Sequence, residues 1–177
     1  MASLLPEVRA TISALRAVRN PRFLATERGF HGAFYCALRT ALARRKMLAE
    51  GCILEMEYQK ARSRHGITQR PDILFHIPAE WSGSPVTANN FAAWALKHSG
   101  TAKEAQEDFM KLGELLTRMK YRLCFFINVE SAHPRLERCP EQFISQIHAF
   151  ATPSTDGQFL RHQYLQEGQI VDNQIAL

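Results

Sequence analysis

Between Cys52 and Lys97 the chain alternates apolar and polar positions in three short runs separated by turn residues. The first, Cys52 to Tyr58, sets Glu55 and Glu57 against Leu54 and Met56, so both carboxylates share one strand face. In the second, Arg70 to Ile77, Asp72, Leu74 and His76 share a face opposite Ile73, Phe75 and Ile77. The third, Phe91 to Lys97, puts Ala93, Ala95 and Lys97 on one face and Trp94 and Leu96 on the other. Three consecutive strands are predicted. The pattern on either side is helical. Leu4, Val8, Ile12, Leu15 and Val18 predict a helix over residues 4–19, and Asn20-Pro21 breaks it. A second helix starts at Thr26, a good N-cap, and buries Phe30, Phe34, Leu38, Ala41 and Leu42.

After Gly100, Thr101 and Glu104 form a capping box for a long helix with Ala105, Phe109, Leu112, Leu115, Leu116 and Met119 inward. Tyr121 to Val129 is nearly continuous apolar sequence, as in an interior strand covered on both faces. Strand, crossover helix and strand predict a parallel pairing of the last two strands. Glu141 to Phe150 reads as a short helix through Phe143, Ile144, Ile147 and Phe150. The tail beyond Pro153 alternates polar and apolar residues, which fits a helix turn, an edge strand or an oligomer contact. The organisation is one domain: an N-terminal helix (1–20), a core (26–129) and a C-terminal helix and tail (130–177).

Composition narrows the class. The chain has 177 residues, 46% of them hydrophobic and 22% charged, the balance of a globular domain. No apolar run approaches the ~20 residues of a membrane span, and the N-terminus lacks the charged and apolar regions of a secretory signal. Cys36, Cys52, Cys124 and Cys139 are scattered without CxxC spacing, so free thiols in a reducing compartment are expected, and with them a cytoplasmic location. A net charge of +5 makes an anionic partner plausible without identifying it.

Candidate chemistry gathers around the three strands. Asp72 opens the second and Lys97 closes the third, a carboxylate able to bind a metal beside a lysine able to steady a nucleophile. Glu27 and His31 project from the apolar face of the second helix, although a carboxylate there also suits the helix dipole. Residues 60–70 are strongly basic, so Arg62, Arg64, His65 and Arg70, with Lys103 on the following helix, are candidate nucleic-acid contacts; the plainer reading is a solvated hairpin loop. Trp81 is either a loop anchor or a stacking surface for a base, the anchor being the plainer reading.

The order helix, three strands, helix and strand, with Pro71-Asp72 opening the second strand and Lys97 closing the third, resembles the PD-(D/E)XK nuclease superfamily over about residues 26–129. The resemblance implies a restriction-endonuclease-like α/β/α core around a mixed sheet. It also implies a Mg²⁺- or Mn²⁺-dependent endonuclease acting on DNA, working as a homodimer or in a larger assembly. Carried over by position, Asp72 is the metal-binding aspartate, Lys97 the lysine that orients water, and Glu27 the additional acid on the preceding helix. Gln106 is a looser match to a glutamine of some members. The departure is Ala95, which stands where the family's second acid lies two residues before the lysine. Glu27, Glu55 or Glu57 would then have to supply the missing oxygen. Two alternatives follow: a catalytically degenerate nuclease fold that binds DNA or a protein, and an ordinary Asp72–Lys97 ion pair with no ligand.

Overall fold

The structure is a computed structural model that describes residues 5–56, 71–78, 81, 88–153 and 158–177. Helix α1 (Pro6–Ala17) has proline in its first turn, where its missing N–H costs nothing, and buries Val8, Ile12 and Leu15. The break at Asn20-Pro21 holds a four-residue helix, α2 (Pro21–Leu24), capped by the Asn20 side chain. Helix α3 (Glu27–Arg44) begins as expected, with Thr26 Oγ1 accepting the Gly29 amide and Phe30, Phe34, Leu38, Ala41 and Leu42 buried.

The strands are β1 (Ile53–Met56), β2 (Ile73–His76), β3 (Asn90–His98), β4 (Leu123–Val129), β5 (Ile147–Thr152), β6 (Phe159–Gln166) and β7 (Gln169–Ala176). Among the described residues they form one seven-stranded mixed sheet in chain order, β1-β2-β3-β4-β5-β6-β7. β1–β2–β3 and β5–β6–β7 are antiparallel meanders. The central pairs β3–β4 and β4–β5 are parallel, with helix α4 (Ala102–Arg118) crossing between β3 and β4. The architecture is therefore α/β.

Burial on both sides makes layers. Ile73, Phe75, Trp94, Leu96, Phe125 and Phe150 pack with α1 and α3 on one face. Leu74, Ala93, Ala95, Cys124 and Phe126 pack with α4 on the other. Every residue of β4 is buried, which explains its unbroken apolar sequence. The indole of Trp94 reaches across the first interface and donates to Thr11 Oγ1 at 3.0 Å, so the polar edge of a fully buried ring is satisfied.

One expectation changes, and one open point is resolved. The helix expected over Glu141–Phe150 is only α5 (Glu141–Ile144), and Ile147–Thr152 is strand β5 instead. Ile147 and Ala149 face α4 while Phe150 faces the other core, and the open edge of β4 decides between the two periodicities. The tail, left open by the sequence, is the β6–β7 hairpin, closed by Glu167 and Gly168 at φ 52° and 76° as in a type I′ turn. The four cysteines are free. Cys124 and Cys139 are buried, and burial pushes both thiols up, Cys139 to about 12, whereas Cys36 is exposed. Among the described residues no helix is long and apolar enough to cross a membrane.

Candidate functional site

Asp72 lies one residue before β2, where the β2–β3 ladder stops. Its Oδ2 accepts the Leu96 amide at 2.6 Å, continuing the ladder with a side chain. Lys97 follows on β3, opposite Asn128 of β4 in the parallel register. Asn128 is fully buried and ties down the turn into α4: its Oδ1 accepts the Gly100 amide at 2.7 Å, and its Nδ2 donates to the Gly100 and His133 carbonyls, each at 3.1 Å. A Cβ on Gly100 would come within 3.1 Å of the Lys97 Cβ and 3.2 Å of Asn128 Oδ1, so the turn is glycine for want of room.

The sequence-derived pair does come together. Asp72 and Lys97 line one cavity of about 130 Å³, with Pro71, Ala95, Leu112 and Leu115 supplying apolar wall. Two further charged residues line it, and neither is among the sequence-derived candidates: Asp108 and Lys111 of α4. Asp108 is only 5% exposed. Its Oδ1 accepts from Lys111 Nζ at 2.7 Å, and its Oδ2 lies 3.6 Å from Lys97 Nζ, an ion-pair distance and too long for a hydrogen bond. The ordinary Asp72–Lys97 ion pair is therefore replaced by Lys97–Asp108. A carboxylate at the 105–108–112–115 stripe of an otherwise apolar helix face was the signal available in the sequence.

Electrostatics follow the packing. Burial raises the Asp72 carboxyl above the usual carboxylate range, and the Asp108 charge adds to this; the Leu96 amide, His31 and Lys97 oppose it. Burial acts to lower the Lys97 ammonium, but Asp108, Glu27 and Asp72 outweigh it, and its pKa sits above the ordinary value. Lys97 is thus a cation at neutral pH, a donor and not a base.

The remaining candidates divide. Glu27 is exposed at the first position of α3, close enough to act on Lys97 through its charge. The end of α2, just before α3, is held near β3 by His98 Nε2, which donates to the Leu24 carbonyl at 2.9 Å. His31 is buried, with its Nε2 unbonded, and its charge bears on Asp72. Glu55 is paired with His76 at 2.7 Å. Lys103 and Gln106 are exposed on α4. Trp81 is 65% exposed, so it does not anchor its loop. Glu57, Arg62, Arg64, His65 and Arg70 lie outside the described residues. A larger groove of about 500 Å³ between α1 and α3 is lined by Ser13, Cys36, Thr40, Arg44 and Arg45, without a carboxylate among its lining residues.

Mg²⁺ and Mn²⁺ take oxygen ligands, and Mg²⁺ commonly keeps several waters beside one or two carboxylates. Asp72 and Asp108 on one cavity, one with a buried oxygen that makes no hydrogen bond, fit that donor chemistry. Among the described residues no group of three or more His, Cys, Asp or Glu converges. No protein-family model, curated protein or solved structure matches the chain.

Proposed function

We propose that the chain is a restriction-endonuclease-like fold and a Mg²⁺- or Mn²⁺-dependent phosphodiester hydrolase acting on DNA. The observation that carries this reading is the shared cavity of Asp72 and Lys97 at the open end of the β2–β3 ladder. The order of α3, three antiparallel strands, α4 and a parallel β4 supports it. Asp72 would hold the ion together with a second acid, Asp108 on the same cavity or Glu27 near Lys97. Such an ion, when bound, lowers the pKa of water and neutralises charge that develops on phosphate. Lys97, kept protonated by the surrounding acids, donates to the attacking water or to a phosphate oxygen and holds it against the cavity. The apolar wall of Ala95, Leu112 and Leu115 limits water there, which strengthens each charge interaction.

The test is cleavage of supercoiled plasmid and of linear single- and double-stranded DNA with Mg²⁺, Mn²⁺ or EDTA. Metal-dependent cleavage is expected, abolished by Asp72→Ala and reduced about 10²–10³-fold by Lys97→Ala. Cleavage that survives Asp72→Ala would overturn the reading. The methyl group of Ala95, in place of an acid two residues before Lys97, favours a second reading: a binding module on the same scaffold. That reading predicts salt-dependent DNA binding without cleavage by any form of the protein.

A further inference from the structure

We propose that Asp108 is the second acidic ligand of this site, so that α4 supplies from above the carboxylate that β3 lacks at Ala95. The inference rests on the metal-dependent reading and goes beyond it by choosing the ligand.

The choice follows from what each acid already does. Glu27 is exposed at the start of α3, where a carboxylate is explained by the helix dipole alone. Asp108 is not at a helix end; it lies in the cavity with Asp72 and is held between Lys111 and Lys97. It occupies the buried stripe of α4 between Ala105 and Leu112, and a carboxylate taken out of water there is costly unless its oxygens are used. One oxygen is used: Lys111 Nζ holds Oδ1 at 2.7 Å. The other, Oδ2, is buried and makes no hydrogen bond; Lys97 Nζ lies 3.6 Å from it, on the cavity that Asp72 also lines. Ligating carboxylates are typically fixed through their second oxygen by an outer hydrogen-bond partner, and Lys111 stands in that position. Ala95 completes the fit, because its side chain on the same cavity is only a methyl group, which leaves the space an acid on β3 would fill.

The test is Mn²⁺ binding by the purified full chain without nucleic acid, read from the free-Mn²⁺ paramagnetic resonance signal. The wild type is expected to bind one Mn²⁺, with Asp72→Asn and Asp108→Asn each weakening it at least tenfold and Glu27→Gln changing it less than twofold. Wild-type affinity in Asp108→Asn, with binding lost in Asp72→Asn, would overturn Asp108 and leave the metal site standing. No uptake of Mn²⁺ by the wild type at millimolar concentration would overturn the metal site and this inference with it. A second measurement needs no variant: Mg²⁺ titration of the wild type followed by side-chain carboxyl ¹³C resonances. Asp72 and Asp108 should shift along one saturation curve, and an unmoved Asp108 beside a shifting Asp72 would overturn the inference.

Discussion

The Asp72 carboxylate accepts the Leu96 amide at 2.6 Å, so one side chain both closes the β2–β3 ladder and lines the cavity. The two duties separate by substitution. Asp72→Ala leaves the N–H of buried Leu96 without its acceptor and should cost about 1–3 kcal/mol. Asp72→Asn keeps an acceptor oxygen. The raised Asp72 pKa means that the folded state binds this proton more tightly than the unfolded one, so ionisation at neutral pH works against folding. Asp72→Asn should therefore match or exceed wild-type stability at pH 7, while stability gained by the wild type as pH falls toward the raised pKa is missing in the variant. Urea unfolding between pH 4 and 8 checks both statements, and a loss in Asp72→Asn equal to that in Asp72→Ala would contradict them.

Asn128 makes three side-chain hydrogen bonds from a fully buried position, two of them to Gly100. Asn128→Ala strands the Gly100 N–H and C=O and should cost about 2–4 kcal/mol. Because Gly100 sits against the Lys97 Cβ, the turn should also release Lys97. Under the proposed function, cleavage in this variant should fall further than the folded fraction does, as measured at a temperature where it remains folded.

A pH dependence is built into the sheet away from the cavity. His148 Nδ1 and His162 Nε2 lie 2.8 Å apart, and the His162 ring stacks on Phe150 at 4.3 Å. Burial holds His148 at about 4 and His162 at about 3, the latter further lowered by His148 against the pull of Asp172. Both values are depressed, so the unfolded chain takes up these protons first and stability is lost as pH falls below about 6.5. Between pH 7 and pH 5 the pair should cost about 4 kcal/mol, at ~1.4 kcal/mol per unit for each ring. His162→Phe keeps the stack and should remove about half of that slope in chemical denaturation.

Gly113 tests packing against propensity. In an exposed helix Gly→Ala gains up to ~1 kcal/mol, but a Cβ here falls onto the Phe143 ring. Gly113→Ala should destabilise by about 1–2 kcal/mol net, since overpacking a core costs about 1–3 kcal/mol. A raised melting temperature would show that Phe143 moves aside freely.

Much of this arrangement was legible because side-chain alternation and helical stripes are short-range signals. Thr26, the Thr101–Glu104 capping box and the buried β4 run each declare their element locally. The Asp72–Lys97 pairing on one face also followed from alternation once β2 and β3 were adjacent. Asp108 escaped because Lys103, Glu104, Glu107 and Lys111 surround it in sequence and make it look like one more residue of a solvated face. β5 escaped because Ile147 and Phe150 satisfy helical spacing as well as strand alternation, and only the free edge of β4 distinguishes them. The β6–β7 turn hid behind Glu167, a residue type seldom placed at positive φ where asparagine or glycine is usual.

The seven strands lie in the sheet in the order in which they occur in the chain. No strand has to be inserted between two already paired, so each can dock on the edge left by its predecessor as the chain emerges. Loss of structure should follow burial, with the largely exposed β7 releasing its amides to exchange first and the buried β3–β4 pair last. The end of β3 that carries Lys97 then belongs to the last part of the molecule to open.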